Sequence, residues 1–258
     1  MKRFLIAAAV MAALLVLPQR PAVTEAQPSS QPAAQLPPGP RTVHQSAMEL
    51  TMPSGPMDAV QMVLDFAPGA WTPPHSHGGD VLVTVLAGTM SFRGSDGERA
   101  YQPGETWTER AGAVHAAGNA GSEPARVLAT FILPEGAPLT MVEQSGSADA
   151  PPGPTTVTRS SLRLTEVPSV MNLVQVQLDF APGAWTPPHW HGGALLVTVV
   201  DGELAMRQQG TERTFKEGDL WIEYPGIVHA AGNKTSDTST VVVSFLMPRG
   251  GRLTSIVQ

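Results

Sequence analysis

An internal repeat constrains this chain more than any other feature of its sequence. The twelve residues LDFAPGAWTPPH stand at 64–75 and again at 178–189, an offset of 114 residues. The segment VHAAGN recurs at the same offset, at 114–119 and 228–233. From residue 39 to residue 258 the two copies align without an insertion or deletion. Such a duplication predicts two copies of one small domain in tandem.

The apolar runs inside each copy are short and rich in β-branched residues. Examples lie at 60–66, 81–86 and 127–133 in the first copy and at 195–200 and 241–247 in the second. Pro-Gly and Ala-Gly turn signals separate them, and the chain holds 25 glycines and 25 prolines. Beyond the N-terminal apolar run there is no long 3.6-residue apolar period. The sequence therefore predicts an all-β protein, each copy being a sandwich or jelly roll.

The N-terminus has the features of a secretory signal. Lys2 and Arg3 precede an apolar run at 4–17, and Thr24 and Ala26 in the segment 24–26 offer small residues for cleavage. An uncleaved anchor is the alternative, but Pro18 ends the run short of the ~20 apolar residues that a membrane span needs. We therefore expect a bacterial periplasmic or secreted protein that has no membrane attachment after cleavage. The predicted division is a signal peptide at 1–26, a disordered Pro-rich linker at 27–40, a first domain at 41–144, a linker at 145–153 and a second domain at 154–258.

Charge and cysteine content narrow the classes of partner. The formal net charge is -6 and only 15% of the residues are charged, which argues against nucleic acid or an anionic membrane. The chain has no cysteine, so a transition-metal site has to use His, Met or carboxylate ligands. We expect a small-molecule partner and a monomer or homodimer.

Six of the seven histidines recur in register between the copies. In each copy, two histidines separated by one residue follow a Pro-Pro pair, and a third lies forty residues after the first. Residues i and i+2 of a strand share a face, so the first two imidazoles can converge on one ion while a hairpin returns the third. Ordinary core or surface histidines are the alternative, but chance would not align six of seven. The predicted metal ligands are His75, His77 and His115 in the first copy and His189, His191 and His229 in the second. The seventh, His44, corresponds to Thr158 and is left out of either site.

The motifs around these histidines resemble those of the cupins. The first cupin motif, G-x5-H-x-H-x3/4-E-x6-G, is similar to residues 69–88 and 183–202. The second, G-x5-P-x-G-x2-H-x3-N, is similar to residues 104–119 and 218–233. The resemblance implies a bicupin, with two double-stranded β-helix barrels in one chain. It also implies one divalent transition ion deep in each barrel, and Fe, Cu, Zn, Mn and Ni are all candidates.

Two departures from the family pattern bear on the chemistry. Arg110 and Tyr224 replace the proline of the second motif, which we interpret as a turn variation. Val81 and Leu195 stand where the first motif usually has a glutamate ligand. Three neutral imidazoles would leave the ion its full +2 charge and make it a stronger Lewis acid, with positions open for water, dioxygen or a chelating substrate.

Glu109 and Glu223 are the candidate catalytic residues. They match across the copies, and each lies two residues after a tryptophan, so that the two side chains share a strand face. In the functional interpretation each acts as an acid/base beside the metal or even as a replacement fourth ligand. In the structural interpretation each is a carboxylate on the barrel rim that pairs with an arginine.

Several other residues have both a functional and a structural interpretation. Asp80 offers a carboxylate near His77 but corresponds to Ala194, so it cannot be needed by both sites. A matched tryptophan pair could floor a pocket or pack in the core, and a matched arginine pair could bind an anion or lie in solvent. These pairs are Trp71 with Trp185 and Arg93 with Arg207. The change from Ser76 to Trp190 predicts cavity mouths of different size.

Three functions are compatible with these residues. The first is an exported metal-dependent dioxygenase or oxidoreductase that acts on a small organic molecule, as the resemblance to three-histidine cupins implies. The second is a protein that uses the ion to bind a ligand or to stabilise the barrel. The third is a lyase or isomerase that uses the ion as a Lewis acid. The same fold supports all three.

Overall fold

The structure is a computed structural model that describes residues 37–143 and 151–257. The predicted signal peptide, most of the N-terminal linker and most of the second linker lie outside these residues. Every regular element in the described ranges is a strand. Those ranges also contain no helix of the length and hydropathy that crossing a bilayer requires. The all-β prediction is confirmed, whereas the exact domain limits stay a prediction.

In the described ranges each copy contributes ten strands, and strand n of the first copy corresponds to strand n+10 of the second. The first copy contains β1 (Arg41–Thr51), β2 (Met57–Phe66), β3 (His75–Ser76), β4 (Asp80–Ala87), β5 (Met90–Gly94), β6 (Gly97–Tyr101), β7 (Thr106–Glu109), β8 (Ala116–Gly118), β9 (Ala125–Pro134) and β10 (Met141–Val142). The second contains β11 (Thr155–Leu164), β12 (Val170–Phe180), β13 (His189–Trp190), β14 (Ala194–Asp201), β15 (Glu203–Gln208), β16 (Thr211–Lys216), β17 (Leu220–Glu223), β18 (His229–Gly232), β19 (Ser239–Pro248) and β20 (Ser255–Ile256).

Two layers of antiparallel strands form each jelly-roll barrel. One layer is a five-stranded sheet, ordered β11-β2-β9-β4-β7 in the first barrel and β1-β12-β19-β14-β17 in the second. The other layer is ordered β16-β15-β18-β13-β20 in the second barrel. In the first barrel that layer consists of β6-β5-β8 and β10-β3, which a bridge between His75 and His115 connects.

The first strand of each copy belongs to the sheet of the other. β1 pairs with β12, from Arg41 opposite Asp179 to Thr51 opposite Val170. In the same way β11 pairs with β2, from Thr155 opposite Asp65. The copies are thus joined by a reciprocal exchange of edge strands.

The long central strands are buried on both faces, which explains their nearly continuous apolar sequences. In β4, Val81, Val83 and Val85 pack inside the barrel, whereas Leu82 packs in a separate cluster between the two copies. Gln175 crosses the same interface, where its amide donates to Thr130 Oγ1 over 2.8 Å. The interior of each barrel thus holds its own apolar cluster, beside which the site residues lie.

Candidate metal centre

Paired strands bring the three histidines of the first barrel together. His75 and His115 lie directly opposite each other, and each backbone N–H donates to the other's carbonyl over 2.9 Å. His77 lies two residues further on the same face. One ring nitrogen from each histidine lies within 4.8 Å of the others, and all three side chains are buried. The structure therefore assembles the trio that the spacing predicted.

Backbone carbonyls fix the orientation of each imidazole. Nδ1 of His75 lies 2.8 Å from the Pro73 carbonyl oxygen, and Nδ1 of His77 lies 2.6 Å from that of Leu139. Nδ1 of His115 lies 2.9 Å from a third carbonyl oxygen. Because a carbonyl can only accept, each Nδ1 carries the hydrogen, and a neutral ring then turns the lone pair of Nε2 toward the centre. Hydrogen bonds of this kind orient histidines that bind metals.

One buried atom shows that the trio fits a cation. Within residues 37–143 and 151–257, Nε2 of His115 has no hydrogen-bond partner. Buried polar atoms are nearly always paired, so an unpaired lone pair at the centre of three converging imidazoles needs an explanation. A divalent transition ion supplies one, because neutral imidazole is a ligand for several of them.

Glu109 lies beside this trio and not on the rim. Its side chain is 6% exposed, and its carboxylate oxygens lie 3.1 Å from Nε2 of His77 and 3.3 Å from Nε2 of His115. Nε1 of Trp107 donates to the same carboxylate over 2.9 Å. No arginine in the described part of the chain is paired with it, so the interpretation as a rim ion pair does not fit.

The charges of these groups are coupled. Burial alone would raise the pKa of Glu109, but its contacts with His115 and His77 outweigh burial and lower the pKa to about 2. Burial lowers the pKa of His75. Burial would also lower the pKa of His115, but the neighbouring Glu109 carboxylate raises it overall. The centre thus contains a buried carboxylate that stays ionised.

The second barrel repeats this arrangement. The Nδ1 atoms of its histidines lie 2.8, 2.5 and 3.0 Å from carbonyl oxygens. The Glu223 carboxylate lies 3.3 Å from Nε2 of His191 and 3.0 Å from Nε2 of His229, and Trp221 donates to it over 2.8 Å. Burial lowers the pKa of His189 to about 4.

An apolar cavity leads to each centre. Its volume is about 240 Å³ in the first barrel and about 320 Å³ in the second. Aliphatic and aromatic side chains dominate both walls, and none of the described lining residues is Lys or Arg. The exchanged segments complete the walls, since Pro154 and Thr156 line the first cavity and Pro40 and Thr42 line the second.

The remaining candidate residues lie away from the cavities. Asp80 accepts hydrogen bonds from Arg110 and from the backbone of residue 111, so it anchors a turn. Trp71 packs on the backbone of residue 118 with the Arg93 guanidinium 3.7 Å from its ring centroid, and that arginine pairs with Glu98. The second copy stacks its equivalent pair in the same way.

The two cavity volumes differ, whereas the difference in mouth size stays a prediction. Ser76 and Trp190 follow inward-facing histidines on their strands and are absent from the described cavity linings. Met62, which lines the first cavity, corresponds to the smaller Val176 in the second. Sequence reasoning could have found this position from the repeat alignment and the alternation along β2.

Two antiparallel barrels, each holding a buried histidine trio arranged as in a metal site, define the class as a double jelly-roll protein with two candidate metal centres. The Cupin domain family matches residues 62–131 and 176–245, which is more than half of the chain. The chain therefore belongs to the cupin family and is a bicupin.

Individual known proteins are also similar to this chain, at low sequence identity. A putative germin-like protein 3-4 from Oryza sativa subsp. japonica is 29% identical over 116 residues, which cover 40% of this chain and 49% of that protein. Vicilin from Corylus avellana superposes with a TM-score of 0.57 at 11% identity and covers 80% of this chain and 85% of its own. The Bacillus subtilis oxalate decarboxylase, whose structure concerns its Mn(II) centres, superposes with a TM-score of 0.53 at 13% identity, covering 84% and 77% of the two chains. The chain thus spans about half of that curated plant relative, and the structural likenesses concern the fold.

Proposed function

We propose that this protein is an exported metal-dependent oxidoreductase, a dioxygenase that acts on an uncharged, largely apolar small molecule. The observation that carries the proposal is that histidines of the buried trio line an apolar cavity in both barrels. A purely structural ion needs no such cavity beside it.

The lining of the cavity supports the substrate class. An anionic substrate such as a dicarboxylate would bring its charge beside Glu109 with no Lys or Arg among the described lining residues to balance it. The bound ion would balance part of this charge, and burial of the unpaired remainder is strongly unfavourable. An uncharged molecule with one or two oxygen donors avoids this cost, and the aliphatic wall contributes about 25 cal/mol per Å² of apolar surface that it covers.

The protein's own residues would bind and shield the reacting molecule. The imidazoles would hold the ion, which when bound can act as a Lewis acid or bring a substrate and dioxygen together. Leu139 and Phe131 would exclude water from one side of the centre, where they line the first cavity. The Thr72 hydroxyl already donates to a backbone carbonyl, so it would offer the substrate only an acceptor.

Oxygen uptake tests the proposal. Protein loaded with Fe, Cu, Mn, Ni or Zn is assayed against β-diketones, flavonols and catechols, with oxalate as the charged comparison. We expect uptake with an uncharged substrate and none with oxalate. The paired variant His77→Ala with His191→Ala should abolish uptake, whereas His44→Ala, which lies outside both trios, should retain it.

The alternatives correspond to other outcomes of the same assay. Substrate turnover without oxygen would replace the dioxygenase proposal by a lyase or isomerase. Tight metal retention without turnover by any loaded form would indicate a binding protein. Export, a monomeric or homodimeric state and the absence of a nucleic-acid partner are further proposals. N-terminal sequencing of protein from fractionated cells and light scattering test the first two, and a DNA-binding titration tests the third.

A further inference from the structure

We infer that Glu109 and Glu223 provide the fourth protein ligand of the two metal centres. They replace the glutamate of the first cupin motif, whose positions Val81 and Leu195 occupy here. The inference rests on the metal-binding part of the proposed function and is independent of turnover. It changes the expected charge of the site, because one carboxylate leaves a divalent ion with a formal charge of +1 rather than +2.

Strand register carries the first step of the argument. Val81 on β4 lies directly opposite Glu109 on β7, and Leu195 on β14 lies directly opposite Glu223 on β17. Side chains of directly opposed residues point to the same face, with Cβ atoms about 4.5–5.5 Å apart. A carboxylate on β7 therefore reaches the same part of the barrel interior as a carboxylate at the opposed position on β4.

The distances to two of the three histidines in each barrel fit ligands that share one ion. Carboxylate oxygens lie 3.1 and 3.3 Å from two imidazole Nε2 atoms in the first barrel, and 3.3 and 3.0 Å in the second. Two ligands that each lie about 2.1 Å from an ion, at angles between octahedral and tetrahedral values, are about 3.0–3.4 Å apart. All four distances, from two separate barrels, fall in that interval.

The hydrogen-bond geometry indicates a cation between these atoms. Since Nδ1 of His77 and of His115 already donates to a carbonyl, each neutral ring presents the lone pair of Nε2 to the Glu109 carboxylate. Two acceptors that face each other in a buried space repel unless a proton or a metal ion lies between them. A metal ion satisfies both the carboxylate and the unpaired Nε2 atom of His115.

Tryptophan acts as the positioning residue for the carboxylate. Trp107 Nε1 donates to Oε1 of Glu109, and Trp221 Nε1 donates to Oε1 of Glu223. In the second barrel Oε2 alone contacts both histidines, so the indole there holds one oxygen and leaves the other for the ion. In the first barrel Oε1 accepts from Trp107 and also lies 3.3 Å from Nε2 of His115. Neighbours that hold a ligand in this way are typical of metal sites.

Cobalt substitution tests the inference, because Co(II) absorption reports coordination number. The full chain is loaded with Co(II), and metal affinity is measured by competition with a chelator. We expect Glu109→Gln combined with Glu223→Gln to change the Co(II) spectrum and to weaken binding at both sites by about tenfold or more. Either single variant should change half of the absorption. Glu105→Gln, an exposed carboxylate on the loop that leads into β7, is the matched control and should change neither.

A relocation variant separates coordination from a general structural role. Combining Val81→Glu with Glu109→Val returns the carboxylate to β4, and we expect it to restore affinity in the first barrel relative to Glu109→Val alone. In the unaltered protein, infrared difference spectra of metal-loaded minus metal-free samples should show a shifted carboxylate stretch, so the test survives if a variant does not fold. An unchanged Co(II) spectrum in both Gln variants, or an unshifted carboxylate band, would overturn the inference while leaving oxygen uptake to test the proposed function.

Discussion

The substitution Gly79→Ala tests whether close contact with strand β9 holds the neighbouring His75–His77 segment in place. Gly78 and Gly79 follow His77, and Gly79 presses against the backbone of the long strand β9. A Cβ at Gly79 would lie 2.0 Å from the Ile132 carbonyl oxygen and 2.9 Å from its carbonyl carbon. A Cβ at Gly193 would lie 2.1 Å from the equivalent carbonyl oxygen in the second barrel. Space, and not a left-handed backbone, explains why both positions are glycine.

The cost of Gly79→Ala follows from that contact. Carbon and oxygen atoms approach to about 3.3 Å without repulsion, so the two strands have to separate by more than about 1 Å. The obstacle is a backbone carbonyl, which cannot rotate away as a side chain can. Overpacking costs about 1–3 kcal/mol, and this site belongs at the upper end. For a unit of this size about 3 kcal/mol lowers the Tm by about 6–12 °C. Displacement of His77 should also weaken metal binding by about tenfold or more.

Thermal unfolding of chelated protein and a zinc titration measure these two effects. Gly153→Ala is the control, because a Cβ at Gly153 meets nothing within 4 Å and should leave both quantities unchanged. A Gly79→Ala protein whose Tm stays within about 2 °C of the parent, with unaltered zinc affinity, would refute the reasoning. Loss of affinity without loss of stability would mean that the strand moves freely and only the histidine is displaced.

Four further measurements test other parts of the structure. Asn119→Ala removes a fully buried amide that donates to two backbone carbonyls and accepts from one backbone N–H, so urea unfolding should show a loss of about 2–4 kcal/mol. In chelated protein, His189 has a folded pKa of about 4 against an ordinary 6.5, so the stability that its neutral form contributes is present above pH 6.5 and lost as the pH falls toward 4. His189→Gln should flatten that part of a urea-unfolding pH series, and an unchanged slope would contradict the assignment. A metal held at about 100 times its Kd should raise the free energy of unfolding by about 2.7 kcal/mol per site, and calorimetry with and without chelator checks this. Residues 154–258 expressed alone should form a homodimer by exchange of β11, whereas a stable monomer in light scattering would show that the strand can pair within its own copy.

The sequence predicts the barrels and the histidine trios because both depend on local pattern. Short β-branched runs and turn residues specify strands, and the one-residue spacing of His75 and His77 places both rings on one face. The exchange of β1 and β11 is different, because it depends on which of two similar edges each strand joins. β2 and β12 present nearly equal partners, so local pattern cannot distinguish pairing within a copy from pairing between copies.

The location of Glu109 shows a second limit. Alternation along β7 places Glu109 on the face of Trp107, but it does not say that this face points to the metal centre. That information is in the register between β7 and β4, which sets Val81 opposite Glu109. Register depends on the length of the hairpins between the strands and on packing against β9, so it becomes visible only in the folded barrel.

A comparison of the two copies shows which residues around the site can change and which are the same in both. The Asp80–Arg110 ion pair of the first barrel becomes Ala194 and Tyr224 in the second, so the turn beside the histidines persists without it. By contrast, the histidine trio, the carboxylate and the tryptophan that holds it are the same in both barrels. A jelly roll needs no buried carboxylate among three imidazoles for its stability, and burial of such a group is costly without a cation. The persistence of the whole set in two barrels that differ around it is therefore best explained by a metal bound in each.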